Sequence, residues 1–248
     1  MPLHRPRSTR YLVAISALLT IGALLYGAAT ARATGEGNGR NTPPAPIELT
    51  VRLDEAAGVL TVHRSGEAEP ILTQHARPDF RPYLHPIVPP DGRGSFTEAS
   101  PDHHPHQTGL YWGFTRLNGR DYFHNPDATH WRRVSLETIE GEGERVIWQT
   151  VYDLLDEAGE PVLRETQIWI LRQDEEGRYL LDLEWRGEAR VDVTIGEYDY
   201  GGLFLRMPWR EGTEGGVVNA ARLADGAAEG QRAMWLVVGR KVPGRDDP

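Results

Sequence analysis

A chain of 248 residues, 39% hydrophobic and 25% charged, can bury one large β core or two small ones, so size does not limit the fold. Its 36 acidic residues outweigh 27 basic ones, and the basic residues, all arginine except Lys241, are scattered. With no basic block to track a phosphate backbone, nucleic acid is argued against as a partner, and the lack of cysteine excludes disulfides, thiolate metal sites and cysteine nucleophiles.

Residues 1 to 10 carry Arg5, Arg7 and Arg10 with no acid, and Tyr11 to Ala29 is uncharged and mostly apolar. This is the pattern of an export signal, and the small residues of Ala31-Arg32-Ala33 favour cleavage before Thr34. The same stretch is long enough for an uncleaved anchor, which needs roughly 20 residues. Both readings export the remainder to the periplasm or beyond, with membrane contact only through the N-terminal segment, residues 11 to 29. Removing 33 residues would leave 23 basic against 36 acidic side chains, a charge that anionic lipid repels. Residues 34 to 46, rich in Gly, Pro and Asn, read as a linker, and one β domain is expected over 47 to 248.

From Ile47 the pattern is strand after strand, with aromatic, Thr, Val and Leu residues that suit a pleated surface. IELTVRL (47–53) and VLTVH (59–63) alternate around a five-residue connection and predict a hairpin. PYLHPIV (82–88) carries two prolines and predicts an edge or irregular strand.

SPDHHPHQTGLYWGFT (100–115) concentrates the chemistry of the chain. Asp102, His103, His104 and His106 bring a carboxylate and three imidazoles together, and Pro105 biases His104 toward extended backbone. Extended residues two apart share a face, so His104 and His106 are expected as a pair, with His103 facing away. Such a pair can bind a divalent metal or divide acid and base roles, and a polar loop that shows its histidines to water fits the spacing equally well. GLYWGFT (109–115) is apolar enough for a strand buried on both faces, which puts the histidines at the mouth of a core strand.

Asn118-Gly119 signals a tight hairpin, and a turn at Asn125-Pro126-Asp127 can bring His124 and His130 back toward the first cluster. Segments 131–140, 144–155, 161–172 and 178–187 predict an antiparallel meander, with Tyr179, Leu181, Leu183 and Trp185 on the inner face of the last. Residues 191–209 suggest two more strands flanking a Gly-bounded turn that holds Glu197, Tyr198 and Asp199. Val217 to Ala228 is weakly helix-like, and MWLVVG (234–239) predicts a final strand.

The combination of RPYLHPIVPPDGRGS, SPDHHPHQTGLYWGF, NGRDYF and YGGLFLRMPW resembles the bacterial PmoA-like family, a domain of unknown function often labelled "methane oxygenase PmoA". The resemblance implies an all-β antiparallel sandwich of the supersandwich type, similar to galactose mutarotases, and a setting in sugar catabolism. It also implies further strands beyond the last residues here, and so a sandwich incomplete at its C-terminus. Gln107 and Thr108 stand where relatives carry another histidine and a basic residue.

Three functions follow as expectations. The first is an enzyme, a carbohydrate-directed isomerase, lyase or hydrolase, with His104 and His106 assisted by Asp102 and His85 and with Glu197 as a more distant base. The second is a carbohydrate-binding module without turnover that stacks sugars on Tyr111, Trp112, Tyr122 and Tyr198. The third is a metal-dependent oxygenase in which His104 and His106 ligate a divalent metal with Asp102. No nucleotide-binding motif is present, so no nucleotide cofactor is expected.

Overall fold

A computed structural model describes residues 12–21, 47–174 and 177–241. The charged start of the leader, the cleavage motif, the linker at 34–46 and the last seven residues lie outside the described residues. The chain divides into two compact units, the first including 47–208 and the second 209–241 among the described residues. The β domain expected over 47 to 248 takes in described residues of both units.

The first unit is a sandwich of two antiparallel sheets. One sheet contains β7 (Trp131–Glu140), β9 (Arg145–Leu155), β10 (Pro161–Gln173) and β11 (Tyr179–Ala189), the predicted meander, in the order β11-β10-β9-β7. Alternation decides its orientation. Val146, Trp148, Tyr152 and Leu154 of β9, Trp169 and Leu171 of β10, and Tyr179, Leu181, Leu183 and Trp185 of β11 are buried on one face. The other face carries ion pairs such as Arg172–Asp182 at 2.9 Å, which are exposed and contribute little.

The opposing sheet joins β2 (Leu49–Asp54), β3 (Val59–Arg64), β4 (Pro70–His75), β5 (Tyr83–Ile87), β6 (Leu110–Gly113), β8 (Glu142–Gly143) and β12 (Gly202–Leu205), in the order β12-β6-β5-β4-β3-β2-β8. β2 and β3 form the predicted hairpin. All four residues of β6 are buried, as its apolar run requires. Across the core Trp112 of β6 stacks on Trp185 of β11 with centroids 4.8 Å apart, and Gln74 of β4 accepts a bond from Trp148 Nε1 at 3.1 Å. Such aromatic pairs contribute about 0.5–1.5 kcal/mol beyond the area they bury.

Leu12–Ile21, here β1, is a strand paired antiparallel with β11 along ten residues, from Leu12 opposite Glu188 to Ile21 opposite Tyr179. The stretch read as a leader therefore occupies the free edge of β11 as a strand. Among the described residues no helix is long and apolar enough to cross a membrane. Cleavage before Thr34 would remove β1 and leave the β11 ladder groups open to another strand.

Two further expectations change. Residues 191–201 hold no strand, only a bridge between Ile195 and Leu117, and β12 is all that forms of the two strands expected there. In the second unit the helix-like segment is instead β13 (Gly215–Asn219), paired with β14 (Leu236–Arg240), and a short 3-10 turn at Asp225–Ala227. Asn219 Oδ1 accepts from the backbone N–H groups of Ala221 and Leu223, an Asx arrangement that competes with helix.

Tyr122 shows why an aromatic in this fold is core. Its hydroxyl donates to the Leu155 carbonyl at 2.7 Å while its ring is buried edge-on against Trp131. Tyr122→Phe leaves that carbonyl buried and unpaired, and urea unfolding is expected to show a loss of about 1–2 kcal/mol with an unchanged m-value.

Candidate functional site

The histidine loop is built by turns. An isolated bridge between Ala99 and Thr108 closes its base, and Ser100 N–H donates to the Gln107 carbonyl above it. Inside, His104 N–H donates to the Pro101 carbonyl at 2.8 Å and Gln107 N–H to the His104 carbonyl at 3.0 Å, giving two consecutive four-residue turns. Pro105 sits second in the later turn, where its fixed φ is already correct. The extended geometry expected across His104-Pro105-His106 is therefore replaced by a turn. Gly109 ends the loop at φ +93°, and a Cβ there would lie 2.3 Å from the Leu84 carbonyl oxygen, so only glycine lets the loop enter β6 at this approach.

The turns still bring the imidazoles together. His104 and His106 have ring centroids 5.8 Å apart, and His103 and His104 4.8 Å. His103 is exposed and outside the cavity that His104 and His106 line, and its Nε2 accepts a bond from Arg206 Nη2 at 2.9 Å. Arg206 also holds Gln107 Oε1 at 3.1 Å and Glu98 at 3.0 Å, which ties the loop to the end of β12.

The second half of the site comes from the segment after the Asn118-Gly119 turn, which forms as predicted with both residues at positive φ and reciprocal bonds between Leu117 and Arg120. Asp121 then organises the chain. Its Oδ1 accepts from the backbone N–H groups of Phe123 and His124, while its Oδ2 lies 2.7 Å from His124 Nδ1. One carboxylate thus folds the turn and orients the imidazole it displays. His124 meets His106 with centroids 4.6 Å apart. His130 stays apart, bonded to Asp127 at 3.0 Å and packed on Tyr122.

The third contribution is Tyr200, which enters because β12 pairs with β6, Leu203 opposite Trp112. Thr115 Oγ1 donates to the Tyr200 carbonyl at 3.0 Å, and the Tyr200 hydroxyl lies 2.9 Å from His124 Nε2. Tyr200 is 45% exposed, so its phenol is open to solvent. His104, His106, Gln107, His124 and Tyr200 line a cavity of about 500 Å³, with Phe123 and Phe204 as its apolar wall.

Beneath it lies Arg81, fully buried, its guanidinium 3.5 Å from the centroid of the Tyr111 ring. It donates to the Phe123 carbonyl, to the His106 carbonyl at 2.7 Å and to Thr108 Oγ1 at 3.2 Å, joining both halves of the site. Burial draws its pKa down to about 10, which leaves it charged at neutral pH. His106 feels that charge. Desolvation first, then His124, Arg81 and His104, push its pKa down to about 4, so it stands neutral from pH 5 upward. Burial raises the Tyr200 phenol above its ordinary value, so it remains protonated.

Of the residues chosen from sequence, only His104 and His106 line this cavity. Asp102 sits exposed on the first turn. His85 is half-buried on β5, its Nδ1 2.9 Å from Thr97 Oγ1 and its carbonyl accepting from His75 Nε2 at 2.8 Å. Glu197 is exposed and outside the lining. Tyr111, Trp112 and Tyr122 are buried in the sandwich and present no ring face to a ligand, whereas Tyr198 is 42% exposed with the Arg116 guanidinium 5.0 Å from its ring. Among the described residues no group of three or more His, Asp or Glu side chains is placed to hold a metal ion, so Asp102, His104 and His106 do not assemble as a ligand set.

Asp121, His124, Tyr200 and Arg81 are the parts that sequence reasoning missed or left loose. The D-x-x-H spacing of Asp121 and His124 is a local signal, since an Asx turn puts the carboxylate beside the imidazole three residues on. Tyr200 has no local signal, being brought in only by strand pairing.

A family model described as a family of unknown function, DUF6807, matches residues 62–247. No curated protein and no solved structure matches the chain. The chain belongs to the DUF6807 family.

Proposed function

We propose that this protein is an exported enzyme that moves protons on a sugar or sugar derivative, as an isomerase, lyase or hydrolase. One observation carries the reading: inside a cavity of about 500 Å³ a neutral His106 stands 4.6 Å, ring centre to ring centre, from a His124 held by the Asp121 carboxylate. Two imidazoles in different electrostatic settings can divide the work of one proton transfer. His106 is neutral and can hydrogen-bond a substrate oxygen without charge repulsion from the Arg81 behind it. His124, oriented by a carboxylate, is on the side where a proton can be taken up and an imidazolium stabilised.

The cavity suits a polyhydroxylated ring. Phe123 and Phe204 offer apolar faces for C–H groups, and Gln107 with the imidazoles offers hydroxyl partners. Export is supported by Arg5, Arg7 and Arg10 followed by the uncharged stretch to Ala29. Binding without turnover is the second reading, favoured by the exposed Tyr198 and its Arg116 neighbour.

The test uses the full chain with D-glucose, D-galactose and D-galacturonate, following anomer interconversion and proton exchange by NMR in D2O, with titration calorimetry for binding. Acceleration of one of them, lowered about a hundredfold by His106→Ala, is the expected result. Binding that His106→Ala leaves intact, with no acceleration by either protein, would establish the binding module instead.

A further inference from the structure

Both nitrogens of His124 are engaged. Nδ1 lies 2.7 Å from Asp121 Oδ2, and Nε2 lies 2.9 Å from the Tyr200 hydroxyl. A carboxylate can only accept, so in the neutral ring the proton belongs on Nδ1 and Nε2 accepts from the phenol, whose oxygen is also hydrogen-bonded with Tyr198. His124 therefore has no nitrogen left to meet a substrate. The hydroxyl of Tyr200 ends this chain of bonds, on a side chain that lines the cavity and is 45% exposed.

We propose that Tyr200 is the residue that exchanges a proton with the substrate, with His124 as its base and Asp121 as the group that fixes His124, and that His106 donates a hydrogen bond to the oxygen on which charge develops. This deepens the preceding reading and rests on it. The arrangement repeats the order carboxylate, imidazole, hydroxyl of a hydrolytic triad, with a phenol in the place of an alcohol.

The transfer balances without an added reagent. The substrate proton passes to the Tyr200 oxygen while the phenol proton passes to His124 Nε2. The resulting imidazolium keeps its Nδ1 proton against the Asp121 carboxylate. The electron pair of the broken bond becomes an alkoxide or enolate on the substrate, where His106 donates its N–H. The neutral imidazole is suited to this because it places no full charge beside the group, and developing oxyanions are stabilised by fixed donors in a partly dry site.

For an anomeric hydroxyl the alkoxide pair forms the carbonyl as the bond from the anomeric carbon to the ring oxygen breaks. The ring oxygen takes the proton the relay returns, and the same steps in reverse close the ring on the other face. For an activated C–H the relay returns the proton to a neighbouring carbon. A phenol and imidazole in series make a base of moderate strength. The substrate class is accordingly one whose proton is already acidified, either an anomeric hydroxyl or a C–H next to a carbonyl or carboxylate, as in reducing sugars, ketoses and uronates. Alcohols without such activation are not substrates.

Tyr198, Asp121 and Asp199 are the neighbours that, after burial, hold the Tyr200 phenol above its ordinary value. Asp121 is the counter-charge that makes an imidazolium at His124 tolerable.

The first test needs no substrate. Long-range 15N–1H correlation of the full chain, uniformly 15N-labelled, reads the tautomer of His124. A proton on Nδ1, with Nε2 shifted when Tyr200→Phe removes its donor, is the expected result; a proton on Nε2 overturns the relay outright. The second test measures the reaction of the preceding section in D2O. Tyr200→Phe is expected to lower kcat about a hundredfold or more with KM within about threefold, and Asp121→Asn about tenfold or more. Tyr200→Phe at the wild-type rate, where His106→Ala is inactive, overturns the relay and leaves the carbohydrate enzyme standing. A wild-type protein inert toward all three sugars overturns the carbohydrate reading, and the tautomer then decides the relay by itself.

Discussion

Glu165→Gln is expected to remove a loss of stability that the wild type undergoes as pH rises from about 4.5 to 7. Glu165 points into the sandwich from β10 and is 1% exposed, accepting from Gln167 Nε2 and Trp185 Nε1, each at 2.7 Å. Burial raises its pKa from 4.5 to about 7, with these two bonds and the Arg81 charge pulling the other way without winning. The protein therefore holds this acid neutral over a range where the unfolded chain ionises it. For a carboxyl raised on folding, the contribution is fully present below pH 4.5, declines as pH rises toward 7 and is gone above it. A rise of that size corresponds to about 3 kcal/mol.

Urea unfolding of wild type and Glu165→Gln at pH 5, 6, 7 and 8 gives the comparison. His63, His75, His85 and His106 have lowered pKa values and work in the opposite direction, losing stability as pH falls, so the difference between the two proteins is what isolates Glu165. The amide cannot accept both bonds, which costs about 1–3 kcal/mol at every pH. The offset is therefore uninformative and the slope decides. Equal slopes in the two proteins would mean that Glu165 is ionised in the fold at neutral pH.

The strands most legible in sequence are those with one wet face. β11 alternates without a break, and its inward set Tyr179, Leu181, Leu183 and Trp185 is the buried set. β4 gave no such pattern because Ile71, Leu72, Thr73 and Gln74 are all buried, and the two polar ones look like a loop until Gln74 is seen bonding Trp148 and two carbonyls across the core. The Ala- and Arg-rich stretch after Asn219 looks helical by composition, but Arg222 sits at positive φ in a turn capped by Asn219.

The site was legible only in part, for a related reason. Density of histidine singles out His104 and His106, whose neighbours in sequence are also neighbours in space. Asp121 and His124 are near in sequence to each other but far from that loop, and Tyr200 lies 76 residues from the imidazole it bonds. What joins them is sheet order, with β12 added beside β6 at the edge of a seven-stranded sheet. That order comes from packing of whole faces, which no local spacing encodes. Tyr111, Trp112 and Tyr122, unlike the exposed Tyr198, belong to the core on the same grounds: Trp112 is held against Trp185 from the other sheet, a contact visible only once the sheets face each other.

Arg81→Met is expected to damage stability and the site together, and comparison with Arg81→Lys separates the two causes. Methionine fills much of the volume but leaves the His106 and Phe123 carbonyls and Thr108 without their donor. Orphaned buried acceptors of this kind cost about 1–3 kcal/mol each, so unfolding should show a loss of at least about 3 kcal/mol. Electrostatically, Arg81 is one of the charges that hold the His106 pKa down near 4, so removing it should let that value rise toward the ordinary 6.5. Lysine keeps the charge but cannot fork across two carbonyls and a hydroxyl, nor lie flat on Tyr111. Arg81→Lys should therefore lose stability while His106 still titrates low. Following the His106 Cε1 proton from pH 3 to 8 in the three proteins reads the charge, and urea unfolding reads the hydrogen bonds. If His106 titrates near 4 in the methionine variant as well, its neutrality comes from burial and its neighbouring imidazoles alone. Arg81 would then act on the cavity only through the two backbone carbonyls it holds together.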